Sequence, residues 1–188
     1  AFRGGAALQL QEISTGTPGT IEGYVAGEQI FLHTTKGAPK GRVVTAPISS
    51  PGESQWVDLI PEDPDAVIEA VGFGGAGIAV TYLQNATTRI RVFDLSGSLR
   101  GEIPLPGLGS ASIRTEGDSS RAYVTYESFN SPTSVFEVDL QLPAAPPKLW
   151  AAPAAPIDPD SVTVEQVWYS STDGTRISMF LVRPKAIT

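Results

Sequence analysis

The chain has 188 residues, 41% of them hydrophobic and 18% charged, with 13 basic against 20 acidic side chains and a net charge of −7. That is enough for a sizeable core, and the composition is globular rather than disordered or low in complexity. The acidic balance excludes a nucleic-acid surface, which needs clustered Lys and Arg. The absence of cysteine removes disulfides, thiolate nucleophiles and Cys-ligated metals while leaving the redox compartment open.

No apolar run approaches the roughly 20 residues of a membrane helix, and the first residues lack the basic and apolar regions of a signal peptide. The expectation is a soluble protein of the cytoplasm or periplasm, with no membrane partner. Met179 is the sole methionine, so Ala1 is expected to arise by processing or, the favoured reading, by fragmentation.

In chain order, residues 1–20 show weak alternation at Leu8-Gln9-Leu10 and then a Gly/Thr/Pro-rich stretch. They are expected to be the end of a preceding repeat or an extended lead-in. From Ile21 to Pro156 the chain breaks into runs of four to eight β-formers separated by Gly, Pro, Asn, Asp or Ser, the pattern of short strands. The runs form three groups of four. The first is Ile21 to Ala26, Gln29 to Thr34, Arg42 to Ile48 and Gln55 to Ile60. The second is Val67 to Phe73, Ile78 to Leu83, Thr88 to Asp94 and Leu99 to Pro104. The third is Ala111 to Thr115, Ala122 to Tyr126, Ser134 to Leu140 and Lys148 to Ala151. Val43, Ile90 and Val135 are equivalent points, 47 and 45 residues apart, the length of a four-stranded propeller blade.

The fold class is therefore all-β: a partial β-propeller of about three four-stranded antiparallel blades (21–62, 67–106 and 109–152, within 21–156), the alternative being a β-sandwich of about a dozen strands. A propeller protects its sheet edges by closing radially, so three blades call for further blades or a symmetric partner to cover their faces. The stretch Gln141 to Asp160 is rich in Pro and Ala and reads as a stiff strap with one strand around Leu149 and Trp150, or as a surface loop within one domain. Residues 157–188 close the chain with a linker and a hairpin. In it, Val162–Pro184 holds two alternating runs joined by Asp173-Gly174, a turn-forming dipeptide.

Tyr169, Asp173-Gly174-Thr175, Ile177 and Met179-Phe180 resemble the segment by which prolyl oligopeptidases pass from β-propeller to α/β-hydrolase domain. Tyr126-Glu127-Ser128-Phe129, Pro132 and Val138-Asp139-Leu140 are similar to that family's last-blade pattern. Ala38-Pro39-Lys40-Gly41-Arg42-Val43-Val44 and Trp56 with Leu59-Ile60-Pro61 sit where an earlier blade carries similar residues. The resemblance implies that the hairpin begins an α/β-hydrolase domain. It also implies a serine peptidase of short peptides cut after proline, with the propeller limiting access, and partners that are the remaining blades, the hydrolase domain and a peptide substrate. The alternatives are another propeller-capped peptidase, such as an oligopeptidase B or acylaminoacyl peptidase, and a non-enzymatic β-propeller or β-sandwich binding module assembled as an oligomer.

Chemistry within the chain is sparse. A Ser-His-Asp hydrolase needs an activated nucleophile, a base and an orienting acid, and no G-x-S-x-G occurs. The lone His33 lies in the strand run Ile30-Phe31-Leu32-His33-Thr34 and is given no catalytic role. Gly72-Phe73-Gly74-Gly75-Ala76-Gly77 lacks the Lys-Ser/Thr of a phosphate loop and reads as a tight turn. Glu62-Asp63-Pro64-Asp65 lacks the ligand spacing of a calcium loop and reads as a solvated turn. Asn85-Ala86-Thr87 fits a glycosylation pattern that matters only in a eukaryotic secretory setting. Tyr24, Phe31, Trp56, Phe73, Tyr82, Phe93, Tyr123, Tyr126, Phe136 and Trp150 are spread over the repeats as packing residues, each contributing about 1.5–3 kcal/mol if buried. Phe129, among Ser128, Asn130 and Ser131, is the aromatic expected at a domain interface. No catalytic, cofactor-binding or metal-binding residue is assigned, and no cofactor is expected.

Overall fold

Short β-forming runs punctuated by Gly, Pro and Asn become antiparallel meanders in the computed structural model, which describes residues 10–16, 18–154 and 158–185. Two compact units divide at Asp63/Pro64. No α-helix occurs among the described residues, and none of their helices is long and apolar enough to cross a membrane.

The first unit carries one sheet, in the order β1 (Ile21–Ala26), β2 (Gln29–Thr34), β3 (Arg42–Pro47) and β4 (Val57–Ile60). β4 begins two residues later than the alternation predicts, because Glu53–Gln55 forms a 3-10 turn. The Trp56 indole closes that turn by donating Nε1–H to the Pro51 carbonyl at 3.0 Å. Ile30, Leu32, Val44 and Ala46 form this unit's buried cluster, with Ile21 and Trp56 packed against it. The described lead-in residues before Ile21 form no strand. Leu8 and Gln9, on which the expectation of a strand there partly rested, lie outside the described residues.

The second unit holds two four-stranded sheets and a ribbon. One sheet runs β5 (Val67–Gly74), β6 (Gly77–Gln84), β7 (Thr87–Phe93) and β8 (Leu99–Ile103). The other runs β9 (Ser110–Thr115), β10 (Arg121–Glu127), β11 (Ser134–Asp139) and β12 (Lys148–Ala151). Each strand pairs with its sequence neighbour, so all connections are short antiparallel turns. Each of the chain's three meanders has a register shift between its third and fourth strands, at Val43/Val44, Val92/Phe93 and Val135/Phe136. The shift falls near the start of the third strand in the first and third meanders and at its end in the second; a bulge there increases local twist and re-aims the outer strand.

Within the second unit the two sheets bury a common core. Ala79, Ile90, Val92 and Ile103 of one meet Ala122, Val124, Val138 and Leu140 of the other. Backbone and hydroxyl bonds stitch the same interface: Gly75 N to Gly117 O at 2.8 Å, Thr88 N to Gly109 O at 3.0 Å and Thr115 Oγ1 to Phe73 O at 2.8 Å.

The ribbon is β13 (Val162–Ser170) paired with β14 (Arg176–Pro184) over nine residue pairs. Gly174, at φ 84°, lets the chain reverse between them. Ser171 N donates to Thr175 O, and Asp173 Oδ1 accepts from Thr175 N. The connection is longer than a two-residue turn because the αL glycine follows a β-turn begun at Ser171. Residues 155–157 of the expected strap lie outside the described residues.

Candidate functional site

A cleft with an aromatic wall lies where strand ends of the second unit meet the ribbon. The β6–β7 connection is the two-residue turn Asn85-Ala86, both residues left-handed at φ 52° and 61°, the type I′ geometry that matches the twist of antiparallel strands. The β10–β11 connection, 128–133, is closed by reciprocal backbone bonds between Ser128 and Ser131. With the start of β9 and Phe180 of β14, these turns enclose about 470 Å³. Gly109 is required at its edge, because a Cβ there would stand 2.3 Å from the Glu127 carbonyl oxygen.

Phe129 is 64% exposed, yet its ring lies against Phe180 with centroids 5.3 Å apart. Asn130 Nδ2 donates to Pro159 O at 3.1 Å and to Val162 O at 3.5 Å, while its Oδ1 accepts from Ser128 Oγ at 2.8 Å. Gln166 Nε2 of β13 donates to the Asn85 carbonyl at 2.6 Å. Glu127 Oε2 accepts from Thr133 Oγ1 at 2.7 Å. The lining combines Ser and Thr hydroxyls, the Glu127 carboxylate, the Phe129 and Phe180 rings and small apolar residues, with no imidazole or amine among them. This arrangement can bind and position a group laid against the aromatic wall.

His33 lies in β2 opposite Glu22 of β1 and Val43 of β3. It is buried, and its Nε2 has no hydrogen-bond partner among the described residues. Burial lowers its pKa, and the Glu22 charge opposes that shift. It is a packed strand histidine.

The glycine run ends β5 and turns at Gly75-Ala76 into β6. Its composition reflects close approach of backbones: a Cβ on Gly75 would lie 2.8 Å from Asp118 Cα, and one on Gly74 would lie 3.1 Å from Gly117 O. Glu62, in the acidic run after β4, accepts the Lys40 backbone N–H at 2.5 Å. No cluster of three potential metal ligands occurs among the described residues. Of the aromatic set, Phe31, Tyr82, Phe93 and Tyr126 are buried. Trp150 departs from the packing expectation: it is 65% exposed on the outer strand β12, with its ring edge-on to Tyr123 at 5.6 Å.

The first unit has a charged centre that alternation does not reveal. Lys36 is 7% exposed; its ammonium donates to Ser14 Oγ at 2.8 Å, to Thr15 O at 2.5 Å and to the Glu53 carboxylate. The hydrogen bond from Lys36, then that from Ser14, lowers the Glu53 pKa to about 2. Three bonds from one ammonium tie the lead-in segment to the 3-10 turn.

Sequential four-stranded meanders, each with a register shift between its third and fourth strands and two of them packed face on face, define the blades of a β-propeller. Residues 19–148 match the family described as prolyl oligopeptidase, N-terminal beta-propeller domain, and the chain belongs to that family. It is 31% identical over 162 residues to a prolyl endopeptidase of Elizabethkingia miricola, covering 86% of this chain and 22% of the relative. It is 30% identical to prolyl oligopeptidase A of Amanita bisporigera, covering 85% and 21%. A solved structure from a study of two prolyl endopeptidases and their inter-domain dynamics superposes with a TM-score of 0.82 at 30% identity, covering 94% of this chain and 26% of that one. Apo prolyl oligopeptidase B from Galerina marginata gives 0.82 at 25% identity, with the same coverage. The chain thus spans about a fifth of the length of the curated relatives it matches.

Proposed function

We propose that these blades are part of the access-limiting propeller of a serine peptidase that cleaves short peptides on the carboxyl side of proline. The supporting observation is the family match over 19–148, which runs from before β1 to the first residue of β12. Partners in this reading are the remaining blades, an α/β-hydrolase domain into which the β13–β14 ribbon leads, and a peptide substrate. The compartment is the cytoplasm or periplasm. Nucleophile, base and orienting acid are supplied by the hydrolase domain in this reading. A narrow channel over a buried site selects substrates by cross-section before any specificity pocket acts.

The test compares a short blocked peptide carrying an internal Gly-Pro reporter bond with a folded protein displaying the same bond on its surface. The protein bearing this chain together with a hydrolase domain is expected to cleave the peptide and spare the folded protein, and the 188-residue chain alone is expected to be inert. Equal rates on both substrates, or post-proline cleavage by the isolated chain, would contradict the reading.

A further inference from the structure

Lys36 is buried, and a buried ammonium is costly unless each of its donors finds an acceptor. An ammonium has three such donors. Here they reach Ser14 Oγ at 2.8 Å, Thr15 O at 2.5 Å and the Glu53 carboxylate, and Ser14 closes a ring by donating its own hydroxyl to Glu53 Oε1 at 2.6 Å. Two of the three acceptors belong to the segment that precedes β1. The buried position of Lys36 is satisfied only when that segment lies in place, so the two are seated together.

The backbone shows the same association independently. The entering segment passes so close to Lys36 that a Cβ on Gly19 would stand 3.1 Å from Lys36 N and 3.2 Å from Lys36 Cα. Thr34 Oγ1 donates to Thr20 O, and Thr20 N donates to Thr35 Oγ1, each at 2.9 Å. The same β2–β3 connection, 35–41, also holds the chain that leaves the meander. Lys40 N donates to Glu62 Oε1 at 2.5 Å, and the Lys36 carbonyl accepts from Arg42 Nη2, whose Nη1 reaches Asp58 of β4 at 2.9 Å. One loop touches the chain on its way in and on its way out.

We propose that the β2–β3 connection is a clamp with two grips on the first meander, the Lys36 ammonium on the entering segment and the Lys40 amide on the leaving one, and that Lys36 enters the interior only as residues 14–20 seat. Opening the first grip frees the entering segment and leaves the second grip and the sheet in place. In the peptidase reading the clamp holds this blade's entry and exit in one register. That consequence rests on the reading of function; the clamp does not.

The chain's four lysines, Lys36, Lys40, Lys148 and Lys185, allow a direct test by reductive methylation and peptide mapping of the protein that carries this chain. Lys148 and Lys185 are exposed and should methylate at least about tenfold faster than Lys36. Ser14→Ala removes one acceptor from the entering segment, and it should speed methylation of Lys36 about tenfold while the other three lysines keep their rates. Lys36→Met keeps an apolar stem in the interior and drops the charge, leaving the Glu53 side chain, 38% exposed, to water. In that variant, hydrogen exchange should quicken about tenfold in peptides over 10–20 and stay unchanged over β2, β3 and 58–63. Methylation of Lys36 as fast as that of Lys148 in the unaltered protein, or acceleration shared equally by β2 and β3 in Lys36→Met, would overturn the clamp. Should Lys36→Met not fold, Ser14→Ala decides by labelling alone, and an unchanged Lys36 rate there overturns it. Loss of the clamp would leave the peptidase reading standing, and failure of peptide cleavage would leave the clamp standing.

Discussion

Ala86 holds a backbone conformation that only glycine adopts freely. Its φ of 61° costs about 1–2 kcal/mol, part of which glycine would lose again through a freer unfolded chain. Ala86→Gly is therefore expected to stabilise the protein by about 0.5–1 kcal/mol in urea denaturation; a loss of stability would mean that the Ala86 methyl contributes packing at the cleft. Glu53 gives a pH-dependent prediction. Its pKa, lowered to about 2 from an ordinary 4.5 by the Lys36 ammonium and Ser14, means that the folded state favours the carboxylate. That stability is fully present above pH 4.5 and is lost as pH falls toward 2. Thermal denaturation should show wild type ahead of Glu53→Gln at pH 7, with the gap closing between pH 4.5 and 2. His33 adds the same sign in a different window: burial lowers its pKa below the ordinary 6.5, so its share fades as pH falls below that value in both proteins and cancels in the comparison.

At the scale of elements, the β5–β6 turn shows what the sequence can and cannot carry. Its glycines mark a turn readily enough, because Gly punctuates alternating runs. Their reason lies 42 residues away, in the backbone of 117–118, which no local pattern encodes. Gly75→Ala puts a Cβ 2.8 Å from Asp118 Cα, and since backbone rather than a flexible side chain must yield, it should cost about 1–3 kcal/mol. Ile90→Ala, emptying a fully buried site between the two sheets, should cost about 2–5 kcal/mol. Both are read from denaturant midpoints, and a Gly75→Ala variant as stable as wild type would contradict the close approach. Strand positions were legible because period-two alternation and turn dipeptides are local signals. The late start of β4 was not, because the 3-10 turn depends on the Trp56 indole reaching Pro51. The polar contacts between the turns and the ribbon were equally hidden: Asn130 and Gln166 find partners 29 and 81 residues away along the chain, and a lone amide in sequence points nowhere. Only Phe129 stood out, as an aromatic stranded among Ser and Asn, and it does meet the ribbon.

For the whole molecule, the organisation is three repeats of one four-stranded pattern followed by a coreless ribbon. The repeat was visible from its period of 45 to 47 residues, and the family from the motifs around Tyr126 and Asp173. The chain's one histidine, His33, lies buried in β2. The account's central claim is that these blades work as the gating part of a larger post-proline peptidase. Intact-mass measurement of the native protein, with peptide mapping on both sides of Ala1 and Thr188, tests it most directly. The account predicts a continuous longer chain, or a co-purifying fragment, that carries a G-x-S-x-G segment and a later histidine. A single species with the mass of these 188 residues and no partner would contradict it.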